Sequence, residues 1–188
     1  MPAALVTGAS RRGGIAAAVA RRLAVEAWDV ALSGWSRYDE TEPWGAHPGE
    51  ADDLVAELRG LGVRAARHED DLLDPVAPAR IFEAAEATVG PLTALVCVHA
   101  HSETGGLLET DAAQLDRHLA VNVRGTALLM AEFVRRFGGE AGTGRIVTFS
   151  SGLPLNGELA YAASKGAVEW LTVSAAVELG PRGITVNA

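Results

Sequence analysis

The chain has 188 residues, 48% hydrophobic and 21% charged, the make-up of a globular protein with a substantial core rather than a fibrous or low-complexity one. Its formal charge of −8 argues against general binding to nucleic acid or to an anionic membrane surface. No apolar run approaches the ~18 residues of a membrane span. The N-terminus lacks a signal-peptide pattern, and a single cysteine, Cys97, excludes an internal disulfide. The expectation is a cytoplasmic protein in a reducing compartment.

Ala3 to Thr7 is a short apolar run ending at Gly8, which reads as a buried strand entering a tight turn. From Gly14 to Glu26, Ile15, Val19 and Leu23 recur at helical spacing. A second strand is expected from Trp28 to Ser33, then an irregular loop from Gly34 to Gly49 carrying Trp35, Pro43, Trp44 and Pro48. Glu50 to Leu61 reads as a helix and Val63 to His68 as a third strand. Asp74-Pro75 is a helix start, and that helix runs to about Val89 before Gly90-Pro91. Thr93 to Val98 is a fourth strand. Asp111 with Gln114 has the form of a capping box and opens one long helix to about Phe137. A fifth strand from Arg145 to Phe149, a helix from Ala160 to Leu179 and a sixth strand from Gly183 to Asn187 complete the order.

Strands alternating with helices predict an α/β fold: a doubly wound parallel sheet, Rossmann-like, in three α/β/α layers. With no internal repeat and no linker, residues 1–188 form one expected domain. This step predicts fold and not function.

Thr7-Gly8-Ala9-Ser10-Arg11-Arg12-Gly13-Gly14-Ile15 joins the first strand to the first helix. Gly8 permits a sharp turn, the paired glycines let backbone approach a ligand, and the amides at the helix start suit a pyrophosphate. Arg11 and Arg12 are forks that match phosphate oxygens, or else two solvated arginines. The second strand ends Ser33-Gly34-Trp35, with no acid where NAD enzymes hold ribose hydroxyls. Together these favour NADP(H) over NAD(H).

Tyr161 and Lys165 are four residues apart on a predicted helix and share a face. An ammonium beside a phenol favours the phenolate and lowers its pKa, which suits proton exchange with a carbonyl or alcohol oxygen. By spacing alone the pair is also a common amphipathic pattern. Ser151 ends the preceding strand-loop and is suited to hydrogen-bonding a substrate oxygen, with Ser150 as the second choice. Asn122, among apolar neighbours in the long helix, is expected to be buried and hydrogen-bonded.

The phosphate loop, Asp71-Leu72, the Asn122 helix, Phe149-Ser150-Ser151, Tyr161-Ala-Ala-Ser-Lys165 and Pro181-Arg-Gly-Ile-Thr-Val-Asn187 occur in the order of the short-chain dehydrogenase/reductase family, which the chain resembles along essentially its whole length. The closest branch in character is that of the 3-oxoacyl-[acyl-carrier-protein] reductases. The resemblance implies an NAD(P)-dependent oxidoreductase acting on a ketone or secondary alcohol, with Ser151, Tyr161, Lys165 and Asn122 as a catalytic tetrad. It implies cofactor contacts from Gly8, Ser10, Arg11, Arg12, Gly14, Ile15, Trp35, Asp71, Leu72, Val98 and Ala100, besides Tyr161 and Lys165. Asp71 matches the acid that contacts adenine, with Asp70 as the alternative register. A small-molecule carbonyl or alcohol substrate is expected, with neither nucleic acid nor membrane as partner. A homodimer or homotetramer through helices 111–137 and 160–179 is implied.

Three departures qualify the resemblance. Cys97-Val98-His99-Ala100 stands where the family has Asn-Asn-Ala-Gly. His99 and His101 read as loop histidines, since no further ligands complete a metal set. The loop from Ser151 to Tyr161 is short. The sequence ends at Ala188 inside the sixth strand, so a substrate-covering wall and closure over substrate are expected to be missing and a sheet edge to be exposed. The alternative reading is therefore a truncated, non-catalytic dinucleotide-binding or scaffold protein, and behind it a purely structural subunit.

Overall fold

The computed structural model describes residues 1–152 and 156–188. The buried apolar runs form the strands. β1 (Ala3–Thr7), β2 (Asp29–Gly34), β3 (Ala65–Glu69), β4 (Ala94–Cys97), β5 (Gly144–Thr148) and β6 (Ile184–Asn187) make one six-stranded sheet in the order β3-β2-β1-β4-β5-β6. Every pairing is parallel, with Thr7 in register with Ser33 on one side and Cys97 on the other. Consecutive strand residues face opposite layers. Leu5 and Leu95 enter a core shared with Ile81, Phe82, Leu129 and Phe133. Val6 and Val96 enter the opposite core with Ala16, Ala20, Leu54 and Leu58.

The helices are α1 (Ile15–Val25), α2 (Ser36–Thr41), α3 (Glu50–Gly60), α4 (Ala77–Val89), α5 (Ala112–His118), α6 (Thr126–Arg136) and α7 (Leu159–Leu179). α1 and α3 cover one face of the sheet; α4, α6 and the apolar side of α7 cover the other. The strand order switches between β1 and β4, and at such a switch point the loops diverge and leave a crevice at the carboxyl ends of the strands.

Several expected boundaries shift. The irregular loop at 34–49 contains α2, because Ser36 to Thr41 has no helix breaker and its buried Asp39 is held by Trp44. The helix expected from Asp74 starts at Ala77, although the Asp74 carboxylate does accept from the amide of Val76 at 3.0 Å. The long helix from Asp111 is three pieces. Asp111 caps α5 by accepting from the amide of Gln114 at 2.7 Å, but the Gln114 side chain donates to the carbonyl of Thr104 instead of closing the box. A π-helical turn, Leu119–Gly125, then separates α5 from α6. Such turns carry one extra residue and are frequent at functional sites; this one is centred on Asn122.

Candidate active site

The carboxyl ends of β1, β2 and β4 surround a cleft of about 530 Å³. Its floor is made possible by two glycines. Gly8 has φ +76°, and a Cβ there would lie 2.7 Å from the backbone nitrogen of His99. At Gly34 a Cβ would lie 2.9 Å from the backbone nitrogen of Ser10. The phosphate loop thus packs directly on the ends of β4 and β2, with no room for side chains between. Gly14 caps α1 without a side-chain bond, and Ser10, Gly14 and Ile15 line the cleft where the helix begins. Free amides at a helix start are an anion site by geometry and by dipole.

Of the sequence-derived cofactor residues, Gly8, Ser10, Arg11, Gly14 and Ile15 line one wall, and Trp35, Asp71, Leu72, Val98, Ala100 and Tyr161 line the rest. Arg12 lies elsewhere. Its guanidinium meets Glu57 at 2.9 Å and Asp53 at 3.9 Å, and its amide donates to Glu50, so it ties the loop to α3 and is committed to carboxylates there. Asp70 and Asp71 both line the cleft, with different partners. Asp70 is bound by Arg80 at 2.7 Å, whereas Asp71 accepts from the amide of Leu73 at 2.8 Å.

Tyr161, in the first turns of α7, is half-buried beside Glu158, and its hydroxyl makes no hydrogen bond among the described residues. One turn on, buried Lys165 donates to the carbonyl of Phe149 at 2.9 Å, and its Nζ is 5.6 Å from the Tyr161 ring centre. The expected lowering of the phenol by the ammonium is not what this geometry produces. Burial, with the charge of Glu158 added, pushes the Tyr161 phenol above its ordinary value. Burial also pushes Lys165 below its ordinary value. Both shifts follow from the same cause: an apolar floor disfavours the charged form of each group.

Asn122 is fully buried and fully used. It accepts from the amide of His101 at 2.7 Å and donates to the His101 carbonyl at 2.9 Å and to Ser164 Oγ at 2.8 Å. Ser164 in turn donates to the carbonyl of Tyr161 at 2.7 Å. The π turn, the end of β4 and α7 are thereby joined through one side chain. Ser151 is half-buried and outside the cleft lining; Ser150 is exposed and bonds Glu169 on α7. The loop from Ser151 to Tyr161 includes residues 153–155, outside the described residues.

The structure adds cleft residues that sequence reasoning passed over. Arg37, Tyr38, Asp39 and Trp44 come from α2 and the turn after it, and His99 and His101 from the β4 loop. Tyr38 bridges the two rims, donating to the carbonyl of Ser102 at 3.2 Å and accepting from its amide at 3.1 Å. His99 is braced between Thr7 Oγ1 at 2.6 Å and Thr126 Oγ1 at 3.3 Å. Burial, with Lys165 adding, pushes its imidazole down to about 3. No local sequence signal marked that role, because the two threonines that hold the ring are distant in the chain. Cys97 behind it is buried, with its thiol pushed up to about 12 by burial, and is therefore a core residue rather than a nucleophile.

Residues 2–188 match the short chain dehydrogenase family. The chain belongs to that family. It is 39% identical to YjdA of Bacillus subtilis (strain 168), an uncharacterized oxidoreductase, over 98% of this chain and 72% of that protein. A short chain dehydrogenase from Burkholderia cenocepacia J2315, solved in complex with NADP, superposes with a TM-score of 0.86 at 36% identity, over 99% of this chain and 71% of that one. A blue fluorescent protein from a metagenomic library, solved with NADPH, superposes equally well, with a TM-score of 0.86 at 33% identity over 99% and 72% of the two chains. Membership makes the chain an oxidoreductase of the class that interconverts alcohols and ketones with an NAD(P)-type cofactor. Among the described residues no helix is long and apolar enough to cross a membrane.

Proposed function

We propose that the chain is a dinucleotide-binding domain that reduces a ketone, or oxidises the corresponding secondary alcohol, with NADP(H) preferred to NAD(H). The observation that carries the reading is the single cleft into which both the α1 amide terminus and the Tyr161 hydroxyl open. The residues present fit a dinucleotide. The Gly8 and Gly34 positions leave a cradle that a Cβ would fill, and Arg11 and Arg37 face the cleft beyond the end of β2. There Ser33-Gly34-Trp35 carries no acid to favour a ribose diol, and the nearby Asp39 is paired with Arg11 and Trp44. The NADP and NADPH in the two solved relatives support the same choice. When bound, the nicotinamide supplies or accepts the hydride.

The chain's own part is proton transfer and orientation. Tyr161 is the proposed acid for reduction: held above its ordinary pKa, it is neutral at physiological pH and carries the proton a new alkoxide needs. Reduction accordingly declines as pH rises through the phenol's pKa, whereas alcohol oxidation, which needs the phenolate, rises with pH. Lys165 lies outside the cleft lining with its Nζ on the Phe149 carbonyl, one helical turn from Tyr161, and is the proposed partner of a ribose hydroxyl. Asn122 holds the π turn that carries this end of the cleft, and Ser151 is the proposed partner of the substrate oxygen. Ketones of the 3-oxoacyl type belong in the first substrate panel. The exposed Trp170, Val173 and Val177 on α7 support self-association through that helix.

The test is titration of NADPH and NADH into the purified chain, followed by turnover on a panel of ketones and secondary alcohols. Tyr161→Phe is expected to retain nucleotide binding and to lose about 10²- to 10⁴-fold in kcat. Turnover without that loss removes Tyr161 from the reaction, and binding without any turnover supports a non-catalytic role.

A further inference from the structure

We infer that Asp39 is a built-in competitor for Arg11, an internal carboxylate that occupies the phosphate-loop arginine and weakens the preference for a 2′-phosphorylated cofactor. The inference rests on the reading of the cleft as a nicotinamide-dinucleotide site.

Arg11, Arg37, Asp39 and Trp44 all line one end of the cleft. The Arg11 guanidinium stacks on the Trp44 ring at 4.4 Å and approaches Asp39 Oδ1 at 3.3 Å. The indole of Trp44 donates to the same oxygen at 2.7 Å. The other carboxylate oxygen, Oδ2, is buried and has no hydrogen-bond partner among the described residues. The pair is unequal in exposure. The Asp39 side chain is 4% exposed and that of Arg11 is 37%.

A buried carboxylate with one unsatisfied oxygen depends on its remaining partners, because removing the cation leaves an uncompensated charge in a poor solvent. A phosphate is a better match for the guanidinium fork than a carboxylate touched through one nitrogen. A 2′-phosphate can therefore draw Arg11 away, but part of its binding free energy is offset by the stranding of Asp39. Arg37 bears no such cost. It stacks on Trp35 at 5.5 Å and makes no ion pair among the described residues. The two arginines thus contribute unequally to a phosphate at this end of the cleft, and the charge of Asp39 sets the contribution of Arg11. An unphosphorylated ribose makes no demand on Arg11 and leaves the pair intact.

Asp39→Asn keeps the shape and the acceptor for Trp44 while removing the charge. Titrating NADPH and NADH at one fixed ionic strength, with circular dichroism to verify folding, should show the NADPH-to-NADH affinity ratio rising about tenfold over the unsubstituted chain. An unchanged or lower ratio overturns the inference. Trp44→Phe approaches the same coupling from the other side. The ring under Arg11 stays, Asp39 loses its indole donor and leans harder on Arg11, and the ratio should fall several-fold; a ratio that holds or rises overturns the inference even if Asp39→Asn does not fold. If the unsubstituted chain binds neither nucleotide, the reading of the cleft fails and the inference with it. If it binds both and the ratios do not move as stated, the inference alone fails.

Discussion

His99 illustrates how one side chain converts loop sequence into a pH-sensitive brace. Its ring links Thr7 at the end of β1 to Thr126 at the start of α6, and burial together with Lys165 pushes its pKa down to about 3. An unfolded histidine titrates near 6.5, so between those values the unfolded chain binds the proton that the folded chain refuses. Stability from this site is complete above about pH 6.5 and is lost progressively as pH falls toward 3. From pH 7 to pH 5 the loss should reach up to about 2 kcal/mol. His99→Gln should flatten that part of a plot of urea midpoint against pH, while lowering stability at pH 7. A slope that survives the substitution would place the proton uptake elsewhere. The sequence marked His99 as an ordinary loop histidine, because the threonines that hold it lie 92 and 27 positions away.

The π turn at Leu119–Gly125 is the element on which the candidate site depends most. It orients Asn122 so that three hydrogen bonds reach the β4 loop and α7 at once. Asn122→Ala would strand the buried amide and carbonyl of His101 and the hydroxyl of Ser164. We expect a loss of about 2–4 kcal/mol, read from chemical denaturation, with weaker nucleotide binding as the β4 loop loosens. Asn122→Asp should recover the bond from the His101 amide alone and so fall between the two. The strands and most helices were legible in the sequence, since their apolar periods and glycine or proline boundaries are local signals. α2 and the π turn were not. A six-residue helix has no room for a period, and a π turn differs from an α-helix by one inserted residue whose stability comes from contacts outside the segment.

Across the chain, the sheet order brings Thr7, Gly34 and Cys97 to one end and puts residues from every quarter of the sequence around one cleft. The same architecture turns part of α7 outward. Trp170 is 74% exposed and Val177 76%, with Val173 between them on the same helical face, an apolar patch of the kind that marks an interface. If α7 pairs with a second copy, Trp170→Glu should shift the species measured by light scattering from dimer or tetramer toward monomer, with the fold retained. An unchanged mass would exclude α7 as the contact.

By itself the sequence determined the α/β class, the position of the phosphate loop, the family and the shared helix of Tyr161 and Lys165, because all of these are written in local spacing and chain order. Which groups meet was decided only by tertiary structure. Arg12 and Arg11 are adjacent in the chain, yet one is bound to α3 and the other faces the cleft beside Asp39. Lys165 shares a helix face with Tyr161, yet burial rather than the ammonium governs the phenol's pKa. The physical reason is common to both cases. Ion pairing and desolvation depend on distance and burial after packing, and sequence spacing controls neither beyond a turn or two of helix.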